Sequence, residues 1–142
     1  TPEVFSTGTW VRISDWRSLD NGLLGVTITA ESRVRVDQTS AQHDGLLSAS
    51  LHPLPARTHD NELLREYSEL TAMLKTLEQH PYAQQFEMTI DYDDQQDIND
   101  KLSYLLPIDN HDKQTLLELG SCREHCEQLR HVINHLQGAE QN

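Results

Sequence analysis

Positive charge, cysteine and long apolar runs are all scarce in this chain, and each shortage excludes a class of function. The 142 residues carry 11 Lys and Arg against 23 Asp and Glu, a net charge of −12. This charge disfavours a nucleic-acid duplex or an anionic membrane as partner, because both are polyanions. Two cysteines build no disulfide framework, which indicates a reducing compartment, the cytoplasm. No apolar run approaches the roughly 18 residues of a membrane helix.

Motifs of catalysis are missing as well. The six glycines supply no phosphate-binding G-x-x-x-x-G-K-S/T loop, and the sequence has no G-x-S-x-G nucleophile elbow. Histidine and aspartate are plentiful, but no motif among them indicates a catalytic triad. We therefore predict no catalytic residue and no cofactor.

The apolar residues that are present divide the chain into two parts. Five of the six valines lie within residues 1–36, whereas 13 of the 20 leucines lie after residue 60. Val favours pleated, half-buried surfaces, and Leu is a good helix former. Charge divides in the same way, because residues 60–142 hold 17 of the 23 carboxylates. We predict an α+β fold with a β part at residues 1–56 and a helical bundle at residues 57–142.

Alternating apolar and polar residues predict four short strands in the first part. Turn residues separate them at Asp20-Asn21-Gly22 and at His43-Asp44-Gly45. Pro53 and Pro55 follow the last strand and end strand pairing, because proline donates no ladder hydrogen bond. Four short strands joined by turns suit a meander or a small barrel. The predicted strands cover residues 9–15, 24–29, 33–36 and 47–51.

Leucine spacing predicts four helices in the second part. The first runs from the N-cap Asp60 to His80-Pro81, with apolar residues at 4-3-4-3 spacing. The interval at residues 86–92 fits either a strand or an irregular linker. The three later helices begin near Asp94, at Asp109 or Asn110, and at the capping box that opens with Ser121.

Three polar clusters in the second part have a structural interpretation and a metal-binding alternative. Cys122 and Cys126 lie one turn apart on the apolar stripe of the last helix, where cysteine acts as a small hydrophobe. His131 and His135 lie on the opposite face of that helix, where we expect them to be solvated. The aspartates within residues 91–100 lack the glycine and the closing glutamate of a calcium loop, so we expect them to cap a helix. We predict no metal site.

Phe5, Trp10 and Trp16 are the aromatic residues that we single out for function. Their default role is packing in the core or at the mouth of a barrel. The functional alternative is an apolar groove that holds a peptide. On that alternative, all three are candidate substrate-binding residues.

The order of motifs along the chain carries a further signal. Residues 8–13 (GTWVRI), 20–22 (DNG) and 32–36 (SRVRV) follow one another as strand, turn and strand. They resemble the amino-terminal domain of Lon-type ATP-dependent proteases, which has a V-G-T-x-A-x-I strand, a D-G turn and a G-x-x-R-F-R-I/V strand. Residues 97–119, with a Leu-Pro pair before KQTLLEL, resemble the helical part of that domain. The resemblance covers nearly the whole chain and implies a PUA-like β barrel, a helical bundle and recognition of polypeptide substrates.

Three departures from the family pattern shape our expectations. The family domain begins further upstream, with a strand rich in Pro and Leu and a first helix, and no such segment precedes Thr1. We therefore expect an incomplete barrel that lacks its early strands, with exposed strand edges that pair with a companion fragment or a second copy. Val34 replaces the Phe of the family pattern. No ATPase or Ser-Lys peptidase motif follows, and the polar tail at residues 138–142 favours a standalone protein.

Three functional hypotheses result. The leading one is a non-catalytic module that binds unfolded or partly folded polypeptides, which suits the acidic surface and the missing catalytic motifs. The first alternative is a fragment of a full ATP-dependent Lon serine protease. The second is a PUA-like RNA-binding protein, although the negative charge of the chain opposes it. RNA binding would use the arginines of the β part, which are Arg12, Arg17, Arg33 and Arg35.

Overall fold

The chain folds into three strands followed by six helices in a computed structural model that describes residues 3–140. It divides into two units, of which the first ends at Ala56 and the second begins at Arg57. The strands lie in the first unit and the helices in the second, which confirms the predicted α+β class.

The first unit is an antiparallel meander of β1 (Thr7–Ser18), β2 (Leu24–Ala41) and β3 (Leu47–Pro53). The central strand β2 pairs with both neighbours. Within residues 3–140, β1 and β3 do not pair with each other, so the sheet is open and has two outer edges.

The prediction of four short strands is wrong, because its second and third strands are two halves of β2. Val11 pairs with Ala30 whereas Trp10 pairs with Ser32, so Glu31 is an extra residue in β2. Such a β-bulge bends and twists a strand without ending it. The extra residue interrupts the alternation of apolar and polar residues in the sequence, as a turn would. No glycine or proline marks the position as a bulge.

Both predicted turns are present, and each places a glycine in the left-handed region. Gly22 has a φ of 81° and Gly45 a φ of 88°, a conformation that only glycine adopts at no steric cost. The side chains of Asn21 and Asp44 accept hydrogen bonds from the backbone N–H two residues further on, at 3.0 and 3.1 Å. These Asx turns fix the two hairpin connections.

Aspartate side chains begin three of the helices. Asp60, Asp94 and Asp109 each accept a hydrogen bond from a backbone N–H of the first turn, as predicted.

Residues 86–92 form neither helix nor strand, so the irregular linker is the correct alternative. Among the described helices, none is long and apolar enough to cross a bilayer. The helices are α1 (Asn61–Glu66), α2 (Ser68–Glu78), α3 (Pro81–Gln84), α4 (Gln95–Leu105), α5 (Asn110–Glu118) and α6 (Cys122–Glu140).

The prediction of one helix from Asp60 to His80 is wrong, because the chain breaks at Tyr67 between α1 and α2. Tyr67 has φ −118° and ψ 37°, outside the helical region. Its side chain is fully buried, its hydroxyl donates to the Glu127 carboxylate, and the Arg130 guanidinium lies 4.3 Å from its ring centroid. Both partners belong to α6, so the leucine spacing within α1 and α2 contains no sign of the break.

The helices enclose the main apolar core. Its buried members lie between Leu63 and Ile133, all within the second unit. Cys122 and Cys126 are among them, and both thiols are free, which confirms that they pack as small hydrophobes.

Arg57 ties the beginning of the second unit to the end of α5. Its side chain is almost fully buried, and its guanidinium donates to the carbonyl oxygens of Leu116 and Leu119 at 2.9 and 3.3 Å. It also forms an ion pair with Asp100 at 3.5 Å. Carbonyls in the last turn of a helix have no helical partner, and Arg57 satisfies two of them.

We expect high pH to destabilise the helical unit through Tyr67. Burial, reinforced by the hydrogen bond to Glu127, raises the pKa of Tyr67 to about 12. An unfolded tyrosine ionises near pH 10, so the stabilisation is complete below pH 10 and is lost as the pH rises towards 12. At pH 11.5 the ionisation of Tyr67 should lower the free energy of unfolding of the unaltered protein by about 2 kcal/mol, and Tyr67→Phe should not show this loss. Urea unfolding of both proteins at pH 8 and pH 11.5 measures it, and equal losses would contradict the assignment.

Candidate functional site

The register of the first hairpin brings six apolar side chains onto one face of the sheet. Directly paired residues share a face, as do residues two apart along a strand. Ile13 and Trp16 are three apart, but the bulge at Ser14 inserts one residue and returns Trp16 to the face of Ile13. Each lies opposite an apolar residue of β2, in the pairs Ile13–Ile28 and Trp16–Val26. We call Val11, Ile13, Trp16, Leu24, Val26 and Ile28 the apolar sheet face.

The apolar sheet face is open to solvent. Its six side chains are 40–70% exposed, with Trp16 the most exposed. Within the described part of the first unit, only Val34 is buried, so these strands enclose no apolar core. The exposed apolar area is on the order of 500 Å², a size at which a patch commonly marks a binding surface.

The opposite face of the same hairpin carries charged and hydroxyl side chains, and Trp10 also lies on it. Arg12 and Arg17 alternate with the apolar residues of β1 and therefore lie on this second face. Arg12 Nε donates to Glu31 Oε1 at 3.0 Å, and Ser14 Oγ donates to the Thr27 carbonyl at 3.2 Å. Arg12 and Arg17 thus lie on the face opposite the apolar sheet face, and Ser18, which pairs with Leu24, is a polar neighbour on the apolar side.

The three aromatic residues chosen from the sequence are all exposed, but they do not share one face. Trp16 is 70% exposed and belongs to the apolar sheet face. Trp10 is 53% exposed and pairs with Ser32, on the face opposite Val11 and Ile13. Phe5 is 63% exposed and precedes β1. The structure therefore brings Trp16 together with aliphatic residues rather than with Phe5 and Trp10.

Sequence reasoning misses the aliphatic members of this face. Ile13, Val26 and Ile28 alternate with polar residues, which indicates a strand with one buried side. That pattern does not show whether another element of the fold covers the apolar side of the strand or leaves it exposed. The available signal was the small number of strands, because even the four predicted strands are too few to close a barrel around such residues.

A buried polar network lies between α4 and α6 in the second unit. Asn99 accepts from Gln95 Nε2 at 2.9 Å and donates to Cys126 Sγ at 3.3 Å. His125 is buried, and its Nε2 lies 2.9 Å from Ser103 Oγ. These contacts join the two helices through buried polar side chains. We assign the network a structural role, because buried polar groups that find partners fix one arrangement of helices.

The two thiols in this network differ in pKa. The hydrogen bond from Cys122 to Cys126, together with burial, raises the pKa of Cys122. Cys126 accepts that bond and a second one from Asn99, and these bonds lower its pKa. Both side chains are buried, so the more readily ionised thiol is shielded from solvent.

Side chains of metal-binding type come together at the start of α5. Within residues 3–140, Asp109, His111 and Asp112 form the single group whose ligand atoms lie within 4.8 Å of one another. The Asp109 carboxylate already accepts the backbone N–H of Asp112 at 2.8 Å, as a helix cap does. His131 and His135 are exposed on α6, as predicted. We assign neither group to a metal.

The family of the chain is decided by its sequence. The sequence pattern described as "ATP-dependent protease La (LON) substrate-binding domain" matches residues 1–136. The chain belongs to this family. The Lon resemblance seen in the strand and helix motifs is therefore confirmed.

Two solved Lon structures are similar to this chain. The Lon N-terminal domain protein from Xanthomonas campestris is 22% identical, with a TM-score of 0.66, over 88% of this chain and 66% of that one. The N-terminal domain of the Mycobacterium avium complex Lon protease is 20% identical, with a TM-score of 0.66, over 87% and 67%. The chain thus shares the Lon fold and spans about two thirds of the length of these two chains. No curated protein matches it significantly.

We expect the apolar sheet face to contribute little to stability and much to dye binding. Ile13→Thr with Ile28→Thr removes one exposed cross-strand pair and should cost less than about 1 kcal/mol. The buried Leu102→Ala serves as the comparison and should cost about 2–5 kcal/mol. Urea unfolding followed by circular dichroism measures both. The double variant should also bind less of the apolar dye ANS, and unchanged ANS fluorescence would contradict an open apolar face.

Proposed function

We propose that this chain is a non-catalytic polypeptide-recognition module and that the apolar sheet face is its main contact surface. One observation carries the proposal, namely that six apolar side chains are exposed together on one face of the β1–β2 hairpin. The family description, which is that of the Lon substrate-binding domain, supports a polypeptide as the ligand. Two free, buried cysteines support a reducing compartment, which we take to be the cytoplasm.

The chemistry of the face favours unfolded over folded partners. Folded proteins keep large apolar patches covered, whereas unfolded chains expose apolar side chains throughout. Apolar contact is also non-directional, so the face would select for exposed apolar residues rather than for one sequence. The net charge of −12 adds long-range attraction for cationic segments.

Binding of this kind is expected to be weak and reversible. Burial of one large apolar side chain contributes about 1.5–3 kcal/mol, and association costs about 4–15 kcal/mol of lost freedom. A few anchors on the apolar sheet face therefore leave only a small net binding free energy, which corresponds to weak affinity. Trp16 is the proposed principal anchor because it is the most exposed member. Phe5 and Trp10 are proposed as contacts outside the face.

The two outer edges of the sheet offer a second mode of contact. β1 and β3 each pair on one side within the described residues, so the other side of each presents unpaired backbone groups. An extended polypeptide could add to such an edge by backbone hydrogen bonds. A second copy of this chain is the competing occupant, and sedimentation at the concentrations of the binding assay distinguishes the two.

RNA is the less favoured partner, because two of the four arginines of the sheet form ion pairs within the chain. Arg12 pairs with Glu31 at 3.0 Å and Arg35 with Asp37 at 2.9 Å. Each pair neutralises a charge that RNA binding would need.

We expect loss of the apolar sheet face to weaken polypeptide binding at least tenfold, because three anchors are removed. The probe is fluorescein-labelled ribonuclease A, reduced and carboxyamidomethylated so that it is unfolded and cationic. The variant combines Ile13→Thr, Trp16→Thr and Ile28→Thr, which removes three anchors and keeps strand-forming residues. Fluorescence anisotropy gives the dissociation constant of each protein.

The matched control removes exposed apolar residues elsewhere in the same unit. Val4→Thr with Leu46→Thr changes two side chains that are 50% and 60% exposed and lie outside the apolar sheet face. Its affinity should equal that of the unaltered protein. Equal affinity in the triple variant, or equal weakening in the control, would refute the assignment of the site.

A further inference from the structure

An apolar groove of about 550 Å³ opens on the helical unit. It is formed where the end of α2, α3, the end of α4, the following loop and α5 come together. A volume of this size holds about two or three apolar residues, the size of a drug-like ligand. Its lining includes Leu77, Tyr82, Tyr104, Leu106, Pro107 and Lys113.

Two exposed tyrosines form a pre-ordered wall of this groove. Tyr82 and Tyr104 are 53% and 51% exposed, although aromatic rings are usually more covered. Phe86 contacts both, with ring centroids 5.2 Å apart and rings nearly perpendicular in each pair. Edge-to-face packing holds the rings in place, so a ligand would meet a surface that needs no reordering.

The charge of the groove is opposite to the charge of the unit around it. Residues 60–142 hold 17 carboxylates, yet none of the acidic side chains that the structure describes lines the groove. Lys113 does line it, with its Nζ 3.1 Å from the Tyr104 carbonyl and 5.6 Å from the Tyr104 ring centroid. Among the described residues, Lys113 forms no ion pair. An ammonium group has three N–H donors, so Lys113 retains the capacity to bind an anion.

We propose that this groove binds the carboxyl-terminal end of a polypeptide, with apolar terminal side chains against Tyr82 and Tyr104 and the terminal carboxylate on Lys113. A mainly apolar lining beside the Lys113 ammonium group, with the His80 imidazole also at the groove, fits an apolar ligand that carries one negative charge. A chain end supplies both at neighbouring atoms. The inference rests on the proposed function, because it names the part of a polypeptide that a second site would take.

The test uses two fluorescein-labelled peptides that differ only at the end. Both have the sequence Gly-Lys-Lys-Gly-Ala-Phe-Leu; one ends in a free carboxylate and the other in an amide. The two lysines offset the long-range repulsion from the acidic protein. We expect the free acid to bind about fivefold more tightly than the amide, and 0.5 M salt to reduce this preference.

Lys113→Met should remove the preference for the free acid, whereas Lys113→Arg should keep most of it. Lys75→Met is the matched control, because Lys75 also lies over a tyrosine ring, 5.1 Å from the centroid of Tyr92, and does not line the groove. It should leave the preference unchanged. Tyr104→Ala should weaken both peptides. Circular dichroism shows whether each variant is folded.

Failure of this inference and failure of the proposed function give different results. Equal binding of the two peptides to the unaltered protein, tighter binding of the amide, or a preference that survives Lys113→Met would overturn the inference. None of these outcomes alters the binding of unfolded ribonuclease A to the apolar sheet face. Conversely, Ile13→Thr with Ile28→Thr should leave the preference for the free-acid peptide intact. If this variant lost the preference, the inference of a second binding site in the helical unit would also be overturned.

Discussion

A three-stranded sheet buries apolar side chains only when another surface covers one of its faces, and in the first unit the apolar sheet face stays exposed. Val34 is the one buried residue among those described in this unit. The hairpins must therefore be held by backbone pairing, by cross-strand pairs such as Ile13–Ile28, and by the turns at Gly22 and Gly45. The surface that we propose for binding polypeptides is the same surface that leaves the unit without a core.

In the helical unit, by contrast, the apolar residues pack against one another and form a buried core. Tyr67 and Arg57 show how polar side chains complete that core: one bonds Glu127 of α6, and the other satisfies carbonyls at the end of α5. Once these contacts fix the helices, the unit can carry a groove with ordered aromatic walls at little cost on binding. The two units thus differ in the contacts that we propose for them, one open and unspecific, the other confined and charge-selective.

Local features of the fold follow from the sequence, and features set by distant partners do not. The Asp60 cap and the Gly22 turn are encoded in adjacent residues, so both are predicted. The break at Tyr67 depends on residues of α6, sixty positions away, and the continuity of β2 depends on a bulge opposite β1. Trp16 is predicted as a site residue because aromatic residues stand out. Its aliphatic neighbours are not, because exposure is a property of the assembled sheet.

The central claim is that an unfolded polypeptide covers the apolar sheet face, and quenching of Trp16 by iodide tests it most directly. The chain has two tryptophans, so Trp10→Phe leaves Trp16 as the only emitter. Unfolded ribonuclease A contains no tryptophan and adds no signal of its own. The account predicts that saturating polypeptide lowers the quenching constant of Trp16 about twofold and shifts its emission to the blue. An unchanged quenching constant, in a sample where anisotropy shows that the complex has formed, would contradict it.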